Sequence, residues 1–109
     1  MGMNSVFSYR EIAKELHGKS WHEVFRVPSM SVGLYRLRTG EEDLQSPHTE
    51  DEVYYVVQGK AQIRVGEKNF AVEPGSLIYV EANLEHRFHT ITEDLTVLVL
   101  FSPAEYTNR

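Results

Sequence analysis

The 109-residue sequence contains no cysteine, which excludes disulfides, thiolate metal sites and cysteine nucleophiles. It also contains no apolar run near the roughly 18 residues that a membrane helix needs. Its formal net charge of −5 comes without a basic stripe, which argues against nucleic acid and anionic membranes as partners. Histidine, carboxylate and hydroxyl groups must therefore carry any chemistry, and the partner left to consider is a small molecule or another protein.

The N-terminus lacks the basic and apolar regions of a secretory signal, so we expect a cytoplasmic protein. Ser8 and Glu11 have the spacing of a capping box, and Ile12 and Leu16 fall on one face before Gly18. This pattern predicts a short helix. Because so short a helix is marginal in water, its apolar face should dock on the rest of the domain or on a neighbouring subunit.

From Trp21 onward, short runs of β-branched and aromatic residues alternate with glycine- and proline-containing turns. The predicted strands are 21–27, 30–38, 52–58, 60–65, 68–73, 76–80, 86–90 and 95–101. Their regular spacing, with no alternating helices, predicts an all-β fold, an antiparallel sandwich or barrel. We divide this single domain into an N-terminal extension, residues 1–20, and a barrel, residues 21–109. The polar residues after Pro103 should lie at the surface.

The acidic segment around His48 is the densest cluster of potential metal donors in the chain. On one straight strand, His48 and Glu52 would lie about 13 Å apart, too far to share an ion. A turn through residues 49–51 would let both side chains converge, with Glu52 opening the next strand. Both faces of that next strand are apolar enough for substantial burial.

Two segments between Gly40 and Thr90 resemble the metal-ligand motifs of the cupin superfamily, which consists of small antiparallel barrels. The first motif is Gly, five residues, His-x-His, three or four residues, Glu, six residues, Gly. The matching positions here are Gly40, Ser46, His48, Glu52 and Gly59. Because Ser46 replaces the first histidine, only three of the usual four protein ligands would remain.

The second motif is Gly, five residues, Pro-x-Gly, two residues, His, three residues, Asn. It begins at Gly75 and places His86 at the ligand position. Glu81, Asn83 and Thr90 stand where proline, glycine and asparagine are usual. Asparagine tolerates a left-handed backbone nearly as well as glycine, so the turn at Asn83 can form.

The resemblance implies an antiparallel double-stranded β-helix, or jelly-roll barrel, with one divalent metal ion held by His48, Glu52 and His86. Many non-haem iron(II) oxygenases use two histidines and one carboxylate, and zinc, nickel and manganese accept the same donors. Ser46 could orient a bound water or substrate, and Glu50 could substitute as a ligand. Further candidates for a ligand pocket are Tyr35, Tyr54 and Phe88.

Each candidate residue also has a simpler interpretation. His48 alone could be an exposed turn histidine, and His86 could be a hydrogen-bonded barrel histidine. Aromatic residues in strands are more often core than pocket. His89 has the opposite strand parity to His86, so it should point away from the pocket.

Three functions remain open on the sequence alone. The first is a metal-dependent enzyme acting on a small organic molecule, of dioxygenase, isomerase or lyase type. The second is a non-catalytic module or sensor that binds a small ligand with or without metal, and the third is a structural protein with a vestigial site. Barrels of this kind commonly pair through a sheet, so we expect a homodimer.

Overall fold

Six antiparallel strands form from the predicted β-rich runs, and the computed structural model describes residues 5–107 of the chain. The elements are α1 Tyr9–Lys14, β1 Trp21–Val27, β2 Met30–Leu37, β3 Asp51–Val65, β4 Lys68–Val72, β5 Leu77–Val80 and β6 His86–Ser102. The predicted all-β jelly-roll class with one short helix is confirmed. No helix within the described range is long and apolar enough to cross a membrane.

Two long strands replace four of the eight predicted ones. The runs 52–58 and 60–65 belong to β3, and the runs 86–90 and 95–101 belong to β6. The interruptions are bends, marked by register shifts where β3 pairs β6 around Gly59. Gly59 has φ +98°, and a Cβ there would overlap the backbone of β6, so glycine lets the two strands cross closely at the bend.

The bends fold the long pair over itself to make two layers. The first half of β3 pairs with the end of β6 and with β5, whereas its second half pairs with β4 and the start of β6. Strands β1 and β2 extend the first layer beyond β6. The core between the layers contains Leu37, Tyr54, Val56, Ala61, Ile63, Val72, Val80, Phe88, Ile91, Leu95, Val97, Val99 and Phe101.

The two faces of β3 differ in burial. Glu52, Tyr54 and Val56 point inward and are at most 1% exposed. On the opposite face Val53 is half-buried and Tyr55 is 45% exposed. The expectation that both faces are substantially buried is therefore wrong for the outer face, because no second layer covers β3 there among the described residues.

The N-terminal helix is present and its predicted apolar face is partly covered, but its predicted cap is not formed. Ser8 precedes α1 without a side-chain capping hydrogen bond, and no residue of α1 is buried. Ile12, on the face predicted to dock, is half-buried. Leu16, just beyond the helix, is 1% exposed and is the residue that packs inside.

The prediction that the residues after Pro103 lie at the surface is wrong for the first two of them and right for Tyr106 and Thr107, which are exposed. Ala104 and Glu105 are both buried. The amide of Glu105 donates a hydrogen bond to Ser31 Oγ at 2.9 Å, and its carbonyl accepts one from Arg26 at 2.6 Å. These contacts hold a polar segment against the start of β2, which local composition does not reveal.

Candidate metal centre

His48 and Glu52 flank a single bend, whereas His86 comes from the start of a later strand. Strand β3 begins directly after a bend at residues 49–50, so Glu52 faces inward near the start of the strand. His48 precedes the bend, and its carbonyl accepts a hydrogen bond from the amide of Asn83, which has φ +67°. His86 is the first residue of β6. The turn predicted between His48 and Glu52 is present, although the segment before it forms no strand.

These three side chains converge in the interior. His86 Nε2 lies 3.0 Å from Glu52 Oε1, and His48 Nδ1 lies 3.4 Å from the same oxygen. One ligand-capable atom from each residue lies within 4.8 Å of the other two. Atoms bound to one zinc-sized ion lie about 3–4 Å apart, since each bond is about 2.0–2.2 Å long. A small contraction of the cluster would therefore suffice to hold an ion.

The hydrogen bonding of these atoms supports that fit. His48 Nδ1 and both carboxylate oxygens of Glu52 are buried without an aligned hydrogen-bond partner, despite the short distances between them. Buried polar atoms normally have a partner, and buried charges are normally paired or bind a metal. His48 Nδ1 and the Glu52 carboxylate therefore keep bonding capacity that an ion could take up.

The outer nitrogen of each histidine is occupied, which leaves the inner one facing Glu52. His86 Nδ1 donates to the carbonyl of Leu84 at 2.9 Å. His48 Nε2 lies 3.1 Å from Glu105 Oε2. A carboxylate or carbonyl behind a metal-binding histidine commonly sets its tautomer and ring orientation. Glu105 was not among the predicted site residues, because it lies beyond both motifs in a segment expected to be exposed.

Negative charge exceeds positive charge among the buried side chains in and around the cluster. Asp43, Glu50, Glu52 and Glu105 are at most 6% exposed. No lysine or arginine between residues 5 and 107 is buried. The cluster therefore suits a cation, or protonated histidines in its place.

The pKa values reflect this excess. Burial alone would lower the pKa of His48, but the carboxylates of Glu105 and Glu52 outweigh it and raise the pKa to about 9. Burial also opposes charge on His86, and Glu52 again outweighs it and raises the pKa. Burial would raise the pKa of Glu52, but the two histidines lower it to about 2. Without an ion, the ionised carboxylate of Glu52 lies between two histidine rings that both favour the protonated form.

Tyr54 contributes a hydroxyl to the same site. Its oxygen lies 3.1 Å from His86 Nε2 and 3.4 Å from Gln45 Oε1. Burial first, and then the charge of Glu52, raise the pKa of Tyr54 well above its usual range. Tyr54 therefore remains a neutral phenol that can donate a hydrogen bond at physiological pH.

The other predicted pocket residues have different positions. Ser46 is exposed at the mouth of the barrel, next to His48 on the lining of a cavity of about 370 Å³. Tyr35 lines the same cavity. Glu50 is buried, with one oxygen accepting from Thr49 and the other without a partner, and it is not one of the converging ligands. Phe88 packs edge-on against Tyr54 in the core, with ring centroids 4.9 Å apart.

Asp43 is a further buried residue that sequence reasoning missed. It accepts hydrogen bonds from Tyr35 Oη at 2.8 Å, the amide of Phe88 at 2.9 Å and Gln45 Nε2 at 3.0 Å. These bonds pin the segment before His48 to two strands. The only sequence signal was its place in an acidic run, which resembles a solvated loop.

The Cupin domain family matches residues 33–102, which include both motifs and all three converging residues. The chain belongs to the cupin family. This cupin is 47% identical over 95 residues to an uncharacterized protein of Streptomyces coelicolor, covering 87% of this chain and 90% of that protein.

Solved structures show the same fold at lower identity. TT1209 from Thermus thermophilus matches with a TM-score of 0.75 and 23% identity, covering 93% of this chain and 99% of that one. The DMSP lyase DddQ from Ruegeria pomeroyi matches with a TM-score of 0.70 and 18% identity. That match covers 75% of this chain and 45% of the lyase. At these identities the likeness concerns the fold alone.

Proposed function

We propose that this cupin binds one divalent metal ion through His48, Glu52 and His86. The observation that carries the proposal is the convergence of three buried side chains, two of which, His48 and Glu52, turn buried atoms without aligned hydrogen bonds towards the cluster. The surrounding excess of buried carboxylates supports it, because a dication would offset that charge. Iron(II), zinc, nickel and manganese all suit two imidazoles and one carboxylate.

We propose further that the protein is a metal-dependent enzyme acting on a small organic molecule. When bound, the ion would supply Lewis-acid or oxygen-activating chemistry at coordination positions that the three residues leave open. Tyr54 would donate a hydrogen bond beside His86, and Glu105 would hold the ring of His48 in place. This constellation suits dioxygenase, isomerase or lyase chemistry; the DMSP lyase with the same fold is an example of the last.

The alternative is a non-catalytic module that binds a small ligand, with or without metal. The contacts of His48 with Glu52 and Glu105 favour it, because protonated histidines can neutralise these carboxylates without an ion. Ser46, in place of a fourth ligand, also lies exposed at the mouth. For either function we propose a cytoplasmic homodimer, the dimer being supported by the exposed apolar outer face of β3 and β5.

Elemental analysis of protein purified without added metal or a metal-affinity tag tests the proposal. We expect near-stoichiometric metal in the parent protein and its loss in a His48→Ala, His86→Ala double variant. A His89→Ala variant is the matched control, because His89 bonds to Asn69 and Thr90 outside the cluster. Circular dichroism must show that all variants fold.

The outcome that contradicts metal binding is equally definite. If the parent protein retains no metal after incubation with iron(II), zinc, nickel and manganese followed by desalting, the ligand set is not a metal site. Metal-free ligand binding then becomes the better function, and a thermal shift on adding a ligand would support it.

A further inference from the structure

Two arginines lie side by side on the outer surface of the second layer. Arg64 on β3 and Arg87 on β6 are register partners, so their side chains leave neighbouring strands on the same face. On the other side of Arg64, the register partner is the uncharged Asn69 of β4. Like charges directly opposite each other on adjacent strands destabilise a sheet. Natural proteins keep such local conflicts mainly at functional sites.

The guanidinium groups of these two arginines keep open hydrogen-bonding capacity. Within residues 5–107, neither of them forms an ion pair with a carboxylate. Arg64 Nε donates to the carbonyl of Gly66 at 3.0 Å, and Arg87 forms no side-chain hydrogen bond in the same range. Each guanidinium has five N–H donors, and both side chains are exposed, so most of these donors are accessible to a ligand.

Both arginines line a cavity of about 280 Å³. Its other walls come from the loop before β3, through Gln45 and Pro47, and from the turn between β3 and β4 at Gly66. The amide of Gly66 donates to the carbonyl of Glu85 at 2.8 Å, which holds this turn against the start of β6. The arginines therefore face a concave site with a fixed backbone wall.

The lining of this cavity favours an anion. Glu85 is the one carboxylate on it among the described residues, against two guanidinium groups. His86 also contributes to the lining, but its side chain is 1% exposed and pairs with Glu52 in the interior. A cation would meet two like charges, whereas an anion would meet two open guanidinium groups. These groups bind carboxylate and phosphate oxygens through paired N–H donors.

We propose that Arg64 and Arg87 bind a small molecule that carries two negative charges on carboxylate or phosphate oxygens. The volume of the cavity lies just below the usual range for ligand sites, which suits a molecule of a few carbon atoms. The bound anion would offset the repulsion between the two arginines. The inference goes beyond the proposed function, because the cavity is on the outer surface and the ring of His86 is buried away from it.

Isothermal titration calorimetry of the metal-free protein, in Tris buffer at low salt, tests this site. Succinate, succinamate and succinamide have nearly one shape and carry two, one and no negative charges. We expect succinate to bind at least about tenfold more tightly than succinamide, with succinamate between them. Measurable binding of succinamide as tight as that of succinate overturns the inference. The absence of binding by both succinate and inorganic phosphate at millimolar concentration also overturns it.

Inorganic phosphate distinguishes the two sources of negative charge. Binding of phosphate without succinate would identify phosphate esters as the ligand class, and binding of succinate without phosphate would identify dicarboxylates. Either result supports a dianion site at the arginine pair.

Variants test whether the two arginines are responsible. Arg64→Gln and Arg87→Gln should each weaken the dianion about tenfold, and Glu85→Gln should tighten it several-fold. Arg10→Gln is the matched control, because it removes the same charge at an exposed position on α1 outside the cavity. Equal weakening by Arg10→Gln and Arg87→Gln would overturn the site, since net charge alone would then explain binding. If one arginine variant does not fold, the other variant and the parent titrations still decide the matter.

The two proposals fail separately. Dianion binding in a protein that takes up no metal would support the arginine site and remove the metal function. Stoichiometric metal in a protein whose metal-free form binds neither succinate nor phosphate would do the reverse.

Discussion

Glu105 and His48 are 57 residues apart in the sequence, yet their side chains meet at 3.1 Å in the interior. Glu105 is fixed in position because its backbone forms hydrogen bonds with the side chains of Ser31 and Arg26. A rigid acceptor on Nε2 leaves Nδ1 of His48 free to face Glu52. At the residue scale, this contact decides which nitrogen of His48 is available to an ion.

Replacing Glu105 should therefore lower the affinity for metal while the protein still folds. We expect Glu105→Ala to lower zinc affinity about 10- to 100-fold, and Glu105→Gln to lower it less, because the amide oxygen still accepts a hydrogen bond. Competition with a chromophoric chelator measures both values. Glu85→Gln, an exposed change of equal charge, serves as the control. Equal affinity in the parent and in Glu105→Ala would show that the contact does not position His48.

The histidines also predict how stability depends on pH in the metal-free protein. The pKa of His48 is raised from 6.5 to about 9, so its stabilising charge is fully present below pH 6.5 and is lost as the pH rises through 9. The pKa of Glu52 is lowered from 4.5 to about 2, so its contribution is fully present above pH 4.5 and is lost as the pH falls through 2. Because the pKa of His86 is also raised, the change in stability above pH 6.5 reports on both histidines and not on Glu52.

Thermal unfolding in the presence of a chelator should show a melting temperature that falls between pH 6.5 and pH 9. The melting temperature of a metal-saturated sample should fall less over the same pH range. A metal-bound histidine carries no titrating proton on the bound nitrogen. The difference in melting temperature between the two samples should therefore widen with pH. Parallel curves for the two samples would count against these histidines as ligands.

At the scale of elements, the bend of β3 over β6 depends on Gly59. Gly59 and Gly75 have nearly the same positive φ, +98° and +95°, so a side chain strains the backbone similarly at both. They differ in space, because a Cβ at Gly59 would overlap the backbone of Asp94 and Leu95, whereas a Cβ at Gly75 meets nothing within 4 Å. Comparing substitutions at Gly59 and Gly75 therefore separates the cost of backbone strain from the cost of steric overlap.

Alanine at these two glycines should have unequal effects. We expect Gly75→Ala to lower the free energy of unfolding by about 1 kcal/mol and Gly59→Ala by roughly 3 kcal/mol or more. Urea denaturation followed by circular dichroism gives both values. Similar losses in the two variants would mean that β3 and β6 can separate at the bend without cost.

At the scale of the whole molecule, β3 and β5 present an exposed apolar outer face that no other part of residues 5–107 fully covers. Tyr55 on β3 lies opposite Leu77 on β5 and Leu98 on β6, and the neighbouring row pairs Val53 with Tyr79. Leu77 is 72% exposed and Tyr79 is 62% exposed. A contiguous apolar patch on two strands is typical of an interface between copies.

Sedimentation velocity at micromolar concentration should show the proposed homodimer. Leu77→Glu places a charge in this patch and should shift the protein towards monomer without lowering metal content. Leu44→Glu is the control, because Leu44 is also exposed, at 82%, but lies in the loop before His48. A parent protein that sediments as a stable monomer would rule out the dimer.

The sequence alone was sufficient for features that depend on local pattern. Short β-branched and aromatic runs between turn residues located part of every strand. Motif register picked out His48, Glu52 and His86, which the fold brings together. The same reasoning divided β3 wrongly at Gly59, because glycine in a bend and glycine in a turn have the same local signature. It divided β6 wrongly at residues 91–94, because three of these four residues are polar and resemble a turn.

Only the tertiary structure decided which distant groups complete the site. Asp43 and Glu105 resemble solvated charges in sequence, and their burial arises from hydrogen bonds to partners on other strands. The position of the Trp21 ring likewise depends on Gly33, across the β1–β2 hairpin, because a Cβ at Gly33 would overlap the ring. Local propensity reports a residue's own backbone and its near neighbours, whereas burial and hydrogen bonding of a polar side chain depend on what the whole fold places beside it.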